Sequence, residues 1–257
     1  MAGHMTDPSH HPLHDLSWLT ARPIAHRGFH AVGGVGRGRE NTPTAFRAAV
    51  EAGFAIELDV QMSADGEAMV HHDATLDRLT DETGPLLGRD AEALGRIEVG
   101  GDPIATLGRV MALVADAVPL VVEVKAETLE DADTARLADR VVALARGYSG
   151  RAAIMSFDHR VLRRSMELGH PCGLTAEGKS ERAHARHAAV AEDAAFLSYA
   201  VGHLPDPFVA AFRASGRPVI TWTVRSPEQV AATRAHADQM TFEGFQPSFD
   251  PSDVTQV

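Results

Sequence analysis

Cysteine is nearly missing from this chain: Cys172 stands alone among 257 residues. One thiol cannot form an internal disulfide, so the core must hold the fold, and the setting it fits is a reducing cytoplasm. Between apolar neighbours and ahead of Gly173 and Leu174, Cys172 reads as a buried structural thiol rather than a nucleophile. Positive charge is scarce too. Lys and Arg total 24 against 35 Asp and Glu, a net charge of −11. That balance argues against nucleic acid or an anionic membrane as a main partner. Any anionic substrate must then be received by a local cation or a metal. No run of about 18 apolar residues occurs, so no membrane span is expected. The N-terminus is rich in His and Pro and lacks the charged-then-apolar pattern of a secretory signal. Met1 to Met5 reads as an appended remnant with Met5 as the start, and His10, His11 and His14 as tail residues rather than ligands. Residues 1–19 are expected to be a disordered or tag-derived tail and 20–250 a single domain. Nothing in the sequence indicates an oligomeric state.

What is present is a 44% hydrophobic chain, enough for a sizeable core. Strand-like runs are predicted at 24–26, 56–60, 68–71, 120–124, 152–155, 172–175, 195–199, 219–224 and 238–242. Amphipathic helical patterns lie between most of them, at 42–52, 107–117, 129–146, 159–168, 180–191, 207–214 and 227–235. Such alternation points to a parallel sheet with crossover helices. One connection is too short for a crossover. Ser63, Ala64, Asp65 and Gly66 make a tight turn, so 68–71 should return antiparallel as a hairpin. Without it eight parallel strands remain, the count of a (β/α)8 TIM barrel. An open doubly wound sheet is the alternative, but its Gly-rich phosphate fingerprint is absent. The glycines of 33–38 form a loop rather than a P-loop, since no Gly-Lys-Ser/Thr follows.

Polar residues then gather at predicted strand ends: His26 with Arg27, Glu57 with Asp59, Glu123 with Lys125, Ser156 and Trp222. Barrel enzymes place their chemistry there. The hairpin should return His72 and Asp73 to the same mouth. Glu57 and Asp59 sit two apart on an otherwise apolar strand and so share a face. Buried carboxylates that close need a cation, and with Glu123 they offer an oxygen-only set suited to Mg2+, Ca2+ or Mn2+. Arg27 and Lys125 would be fixed positive charges beside it, and His26 and His72 candidate proton carriers.

These segments carry a resemblance. Ile24-Ala25-His26-Arg27-Gly28, Glu40-Asn41-Thr42, Glu57-Leu58-Asp59-Val60, Asp65-Gly66, and His72-Asp73 with Leu76, Arg78 and Thr80 resemble the glycerophosphodiester phosphodiesterase family. So do Ile104-Ala105-Thr106-Leu107, Val122-Glu123-Val124-Lys125 and Thr221-Trp222-Thr223-Val224. The resemblance implies a TIM-barrel hydrolase that cleaves small glycerophosphodiesters to glycerol 3-phosphate and an alcohol. It implies one divalent cation, Mg2+ or Ca2+ with Mn2+ as a third option, held by Glu57, Asp59 and Glu123. His26 and His72 would act as acid and base, and Arg27 and Lys125 would face the phosphate. Trp222 would pack on the glycerol, or serve as a core aromatic. Glu40 would lie in or beside the metal shell, or be a helix N-terminal carboxylate ahead of Asn41 as cap. The stretch between His72 and Glu123 is short, so the insertion common in relatives is expected to shrink to a loop at 86–102. That leaves the preferred alcohol open. Relatives carry a Thr-Asp pair where this chain has Thr241, Phe242 and Glu243, which leaves the role of Glu243 open as well. Two other readings stand beside the main one: a lysophospholipase D-like hydrolase, and a catalytically silent barrel that binds a phosphorylated ligand.

Overall fold

The computed structural model describes residues 15–30 and 39–251. Histidines 10, 11 and 14, and the glycines of 33–38, lie outside the described residues. The strands are β1 (Ile24–Ala25), β2 (Ala55–Met62), β3 (Ala68–Val70), β4 (Glu98–Val99), β5 (Asp102–Pro103), β6 (Leu120–Val124), β7 (Ala152–Ser156), β8 (Cys172–Ala176), β9 (Leu197–Ala200), β10 (Val219–Val224) and β11 (Gln239–Phe242). The helices are α1 (Pro43–Glu51), α2 (Ala91–Leu94), α3 (Leu107–Val114), α4 (Asp131–Gly147), α5 (His159–Glu167), α6 (Glu181–Ala191), α7 (Pro207–Ala214) and α8 (Pro227–His236). β1 pairs in parallel with both β2 and β11. The ring β1-β2-β6-β7-β8-β9-β10-β11 therefore closes into a TIM barrel of eight parallel strands.

β3 lies outside the ring, antiparallel to β2, as the turn chemistry predicts. Gly66 makes that turn possible, with φ +87° and the Arg136 guanidinium where a Cβ would stand. Helix starts follow side-chain capping. Thr42, Thr106, Asp158, Ser180, Asp206 and Ser226 each accept a backbone N–H from the first turn they precede. The cap of α1 is thus Thr42, not Asn41. Ile56, Leu58 and Val60 on β2 face the helices, while Glu57 and Asp59 point into the barrel; all five are buried.

Two expectations need correction. The structured chain begins before residue 20: Leu16, Trp18 and Leu19, around a 3-10 turn at Ser17–Thr20, pack against Ile24, Val121, Phe196 and Ile220 as a plug. The stretch 86–102 is also more than a loop. α2 and the small β4–β5 hairpin pack Leu94, Ile97 and Val99 with Met69, Leu76 and Leu86 into a second apolar cluster beside the barrel. Among the described residues no helix is long and apolar enough to cross a membrane.

Candidate active site at the barrel mouth

The three carboxylates come from neighbouring strands. Asp59 on β2 is the register partner of Glu123 on β6, and Glu57 lies two residues back on β2. An oxygen from each lies within 4.8 Å of the others, and their exposures are 1%, 1% and 6%. Burial, then the charges of Asp59 and Glu123, push the Glu57 carboxyl well above its usual range. Burial pushes Asp59 the same way, but Lys125 and Arg27 outweigh it and hold Asp59 low. Burial takes Glu123 up to about 7 against the pull of Lys125. Lys125 Nζ lies 3.1 Å from Asp59 Oδ1 and also bonds Glu123 Oε1. Burial pulls Lys125 down, but Asp59 and Glu123 hold its ammonium in the charged form.

Arg27 reaches the cluster from the loop after β1. Its backbone is left-handed, φ 54°, a conformation that costs a non-glycine residue on the order of 1–3 kcal/mol. There its N–H donates to Glu57 Oε2 at 2.9 Å and its Nε lies 3.2 Å from Asp59 Oδ2. Gly28 follows at φ +84°, where a Cβ would sit 2.8 Å from that of Ala45, so the turn fits tightly against α1. Asn41, also left-handed at φ 58°, donates Nδ2 to Asp59 Oδ2 at 2.8 Å and accepts the Asp59 N–H. Glu57 Oε1 is buried without a hydrogen-bond partner. An unpartnered carboxylate oxygen inside an all-oxygen trio fits a hard divalent cation, with Glu57, Asp59 and Glu123 as the residues that could hold it.

Each predicted histidine is held by a carboxylate and an arginine. Glu243 Oε2 accepts from His26 Nδ1 at 2.8 Å and from Arg225 Nη2 at 2.7 Å. Asp73 Oδ1 accepts from His72 Nδ1 at 2.6 Å, and Arg78 Nε donates to Asp73 Oδ2 at 2.6 Å. Bonding at Nδ1 leaves Nε2 of each ring for a substrate. Burial lowers the His26 value, with the Glu243 hydrogen bond opposing it. Burial would raise Glu243, but its bond to His26 and the charge of Arg225 take it down to about 2. Asp73, likewise opposed by burial, is held at about 2 by its bonds to Arg78 and His72. Glu40 lies between two arginines, bonded to Arg27 Nη1 at 2.6 Å and to Arg78 Nη1 and Nη2 at 3.0 and 2.7 Å. It is not one of the three clustered carboxylates.

A cavity of about 230 Å³ joins His26, Arg27, Glu57, His72, Glu123, Lys125 and Trp222. Trp222 is partly exposed, donates Nε1 to Ser198 O at 3.3 Å and meets Phe157 edge-on at 5.5 Å. The Phe157 ring also lies 5.8 Å from Lys125 Nζ. Ser156, at a strand end, is structural: its hydroxyl is buried and donates to Val124 O. Cys172 is buried and its thiol pushed up to about 12 by that burial, far from nucleophilic use. Sequence reasoning missed Asn41, Phe157 and Arg225 as parts of the site. Asn41 lies inside the Glu40-Asn41-Thr42 motif, Arg225 directly follows the predicted strand 219–224, and Phe157 lies two residues past the predicted strand 152–155.

A model of the glycerophosphoryl diester phosphodiesterase family matches residues 26–242. A glycerophosphodiester phosphodiesterase of Caldanaerobacter subterraneus subsp. tengcongensis is 38% identical over 86 residues, 30% of this chain and 35% of that protein. Glycerophosphodiester phosphodiesterase 1 of Bos taurus is 41% identical over 75 residues, 29% of this chain and 21% of that protein. The matched stretch thus spans about a third or less of these curated relatives. Among solved structures, an Oleispira antarctica phosphodiesterase in complex with the product sn-glycerol-3-phosphate superposes with TM-score 0.74 at 20% identity, covering 87% of this chain and 93% of that one. The Thermotoga maritima glycerophosphodiester phosphodiesterase gives 0.69 at 26% identity, over 85% and 92%.

Proposed function

The chain belongs to the glycerophosphoryl diester phosphodiesterase family, and from that premise we propose that it hydrolyses small glycerophosphodiesters to glycerol 3-phosphate and an alcohol. The observation that carries the reading is one cavity lined by two carboxylate-anchored histidines, two cations and Glu57 and Glu123 of the buried carboxylate trio. Residues 20–250 act as a single catalytic domain, with Leu16, Trp18 and Leu19 packed onto it. The cofactor would be one divalent cation, Mg2+ or Ca2+ with Mn2+ as a third option, held by Glu57, Asp59 and Glu123, and it would supply charge neutralisation at the phosphate. Arg27 and Lys125 orient the phosphate and stabilise the charge that grows on it. Trp222 offers the glycerol a flat apolar wall. One imidazole Nε2 takes the proton of the attacking oxygen, from water or the substrate's own 2-hydroxyl, and the other protonates the departing alcohol. The solitary, buried Cys172 supports a reducing cytoplasm as the setting. A charged cavity of about 230 Å³ disfavours a lysophospholipid, and the anchoring of both histidines disfavours a silent binding barrel.

The test is release of glycerol 3-phosphate from glycerophosphoethanolamine and glycerophosphocholine after chelation and after return of Mg2+, Ca2+ or Mn2+. Turnover should vanish and return. His26→Ala and His72→Ala should each lose about 10²- to 10⁴-fold. A glycerophosphodiester with p-nitrophenol as leaving group needs no protonation and should rescue only the variant that lacks the acid. Undiminished turnover after exhaustive chelation, or rescue of both variants alike, overturns the reading.

A further inference from the structure

The two arginines that brace the histidine carboxylates differ in how their donors are used. Arg78 is nearly saturated: four of its five N–H donors are bonded, two to Asp73 and two to Glu40. Arg225 is not. Among the described residues its guanidinium has one side-chain partner, Glu243 through Nη2, so Nε–H and Nη1 are unengaged. Its backbone N–H is tied to Gln229 Oε1 at 2.6 Å, and its side chain is 56% exposed while lining the same cavity as both histidines. The two cations that face the phosphate lie deeper, Arg27 at 16% and Lys125 at 12% exposure.

Depth separates their tasks. The cavity, about 230 Å³, is smaller than the roughly 300–1,000 Å³ of pockets that enclose a drug-sized ligand. With the phosphate at the floor and the glycerol inside, the alcohol portion of the diester must project past the rim. There it meets a guanidinium anchored at one end with donors to spare. Guanidinium forks bind carboxylates and phosphates in bidentate fashion and repel ammonium groups.

We propose that Arg225 is a specificity determinant that selects diesters whose alcohol carries a negative charge over those whose alcohol is cationic. This rests on the hydrolase reading above and names the substrate class within it. Arg225 sits at the rim, so the selection acts through a partly solvated charge and weakens as salt rises.

The experiment compares glycerol phosphodiesters of three similarly small alcohols: glycolate (anionic), ethylene glycol (neutral) and ethanolamine (cationic). kcat/KM is measured at low and high salt for the wild type, Arg225→Gln and Arg225→Lys. Arg225→Gln also loosens Glu243 and will slow every substrate, so the readout is the ratio between substrates, which also cancels their intrinsic reactivities when compared across variants. The wild type should favour glycolate over ethanolamine about tenfold or more at low salt, with ethylene glycol between, in line with one attraction and one repulsion at a partly exposed site. Arg225→Gln should compress that ratio to within about threefold, Arg225→Lys should keep most of it, and high salt should shrink it in the wild type and Arg225→Lys but not in Arg225→Gln. Three hydrolysed substrates with no charge order, or an order that survives in Arg225→Gln, overturn the inference and leave the hydrolase standing. No turnover of any of the three with Mg2+, Ca2+ or Mn2+ overturns the hydrolase reading, and the inference with it.

Discussion

Replacing Glu57 by glutamine should make the metal-free protein more stable while removing its response to metal. Glu57 is 1% exposed, shares its site with Asp59 and Glu123, and leaves Oε1 without a hydrogen-bond partner. The nearest cations are committed elsewhere as well: Arg27 to Glu40, Lys125 to Asp59 and Glu123. Glutamine keeps the shape and an oxygen for the Arg27 N–H, and adds a neutral N–H donor beside Asp59 and Glu123 in place of a third buried carboxylate. Exchanging a buried charge for a neutral group of similar volume can stabilise by about 1–4 kcal/mol. At roughly 2–4 °C per kcal/mol for a chain of this length, Tm should rise by on the order of 5 °C in chelator. The gain must depend on pH. Glu57 has a raised folded-state value, so the wild type is least penalised below the unfolded value of about 4.3. It loses stability as pH rises from there toward the folded value, and the advantage of glutamine grows over the same window. Added cation should reverse the ranking, because a ligand at 100 times its Kd stabilises the wild type by about 2.7 kcal/mol and the variant by much less. Thermal unfolding of both proteins in chelator and in Mg2+ or Ca2+, at pH 5 and pH 8, measures all of this. If Glu57→Gln lowers Tm in chelator at both pH values, the carboxylates are satisfied without a cation and the reasoning fails.

Arg78→Ala should cut kcat by about tenfold or more and raise KM, since it frees Asp73 behind His72 and Glu40 behind Arg27 at once. Arg78→Lys should restore only part, a point charge being unable to fork two carboxylates; steady-state kinetics beside a thermal melt separates this from unfolding, as the side chain is 46% exposed. Acid should weaken the fold in the region of pH 4 down to pH 2. Glu243 and Asp73 are both held at about 2, so the stability they contribute is present above their unfolded values and lost as pH falls through the folded ones. An acid titration of Tm should therefore be shallower in Glu243→Gln than in the wild type. Lys125→Met should leave Asp59 and Glu123 facing each other and lower Tm in chelator more than in metal, the opposite sense to Glu57→Gln.

The barrel was legible because most of its strands are buried on both faces and read as apolar runs, with Asp65 and Gly66 marking the one reversal. Glu57, Asp59 and Glu123 were legible as carboxylates that interrupt such runs. The partners of the histidines were harder. Asp73 is adjacent to His72, whereas Glu243 lies 217 positions from His26, a separation no periodicity encodes. Glu40 looked like a metal-shell or cap residue because its bond to Arg78, 38 positions away, is set by the hairpin's path. β4 and β5 are two residues each, too short to show alternation. Trp18 and Leu19 were hidden by the His- and Pro-rich stretch before them, which gives a plug the look of a tail.

The ring is sewn shut by its shortest member. β1 has two residues, held on one side to Thr241 and Phe242 and on the other to Ala55 and Ile56. His26 follows at once, its N–H on Phe242 O at 3.0 Å, and the next residue after Phe242 is Glu243. The bonded pair His26–Glu243 thus straddles the seam between the first strand and the last, while the carboxylate cluster sits on the adjacent strands β2 and β6. Opening of the seam between β1 and β11 would separate the imidazole from its anchor while Asp59 and Glu123 stay in register across β2 and β6. On the reading proposed above, a barrel that opened there would lose turnover before it lost a bound cation.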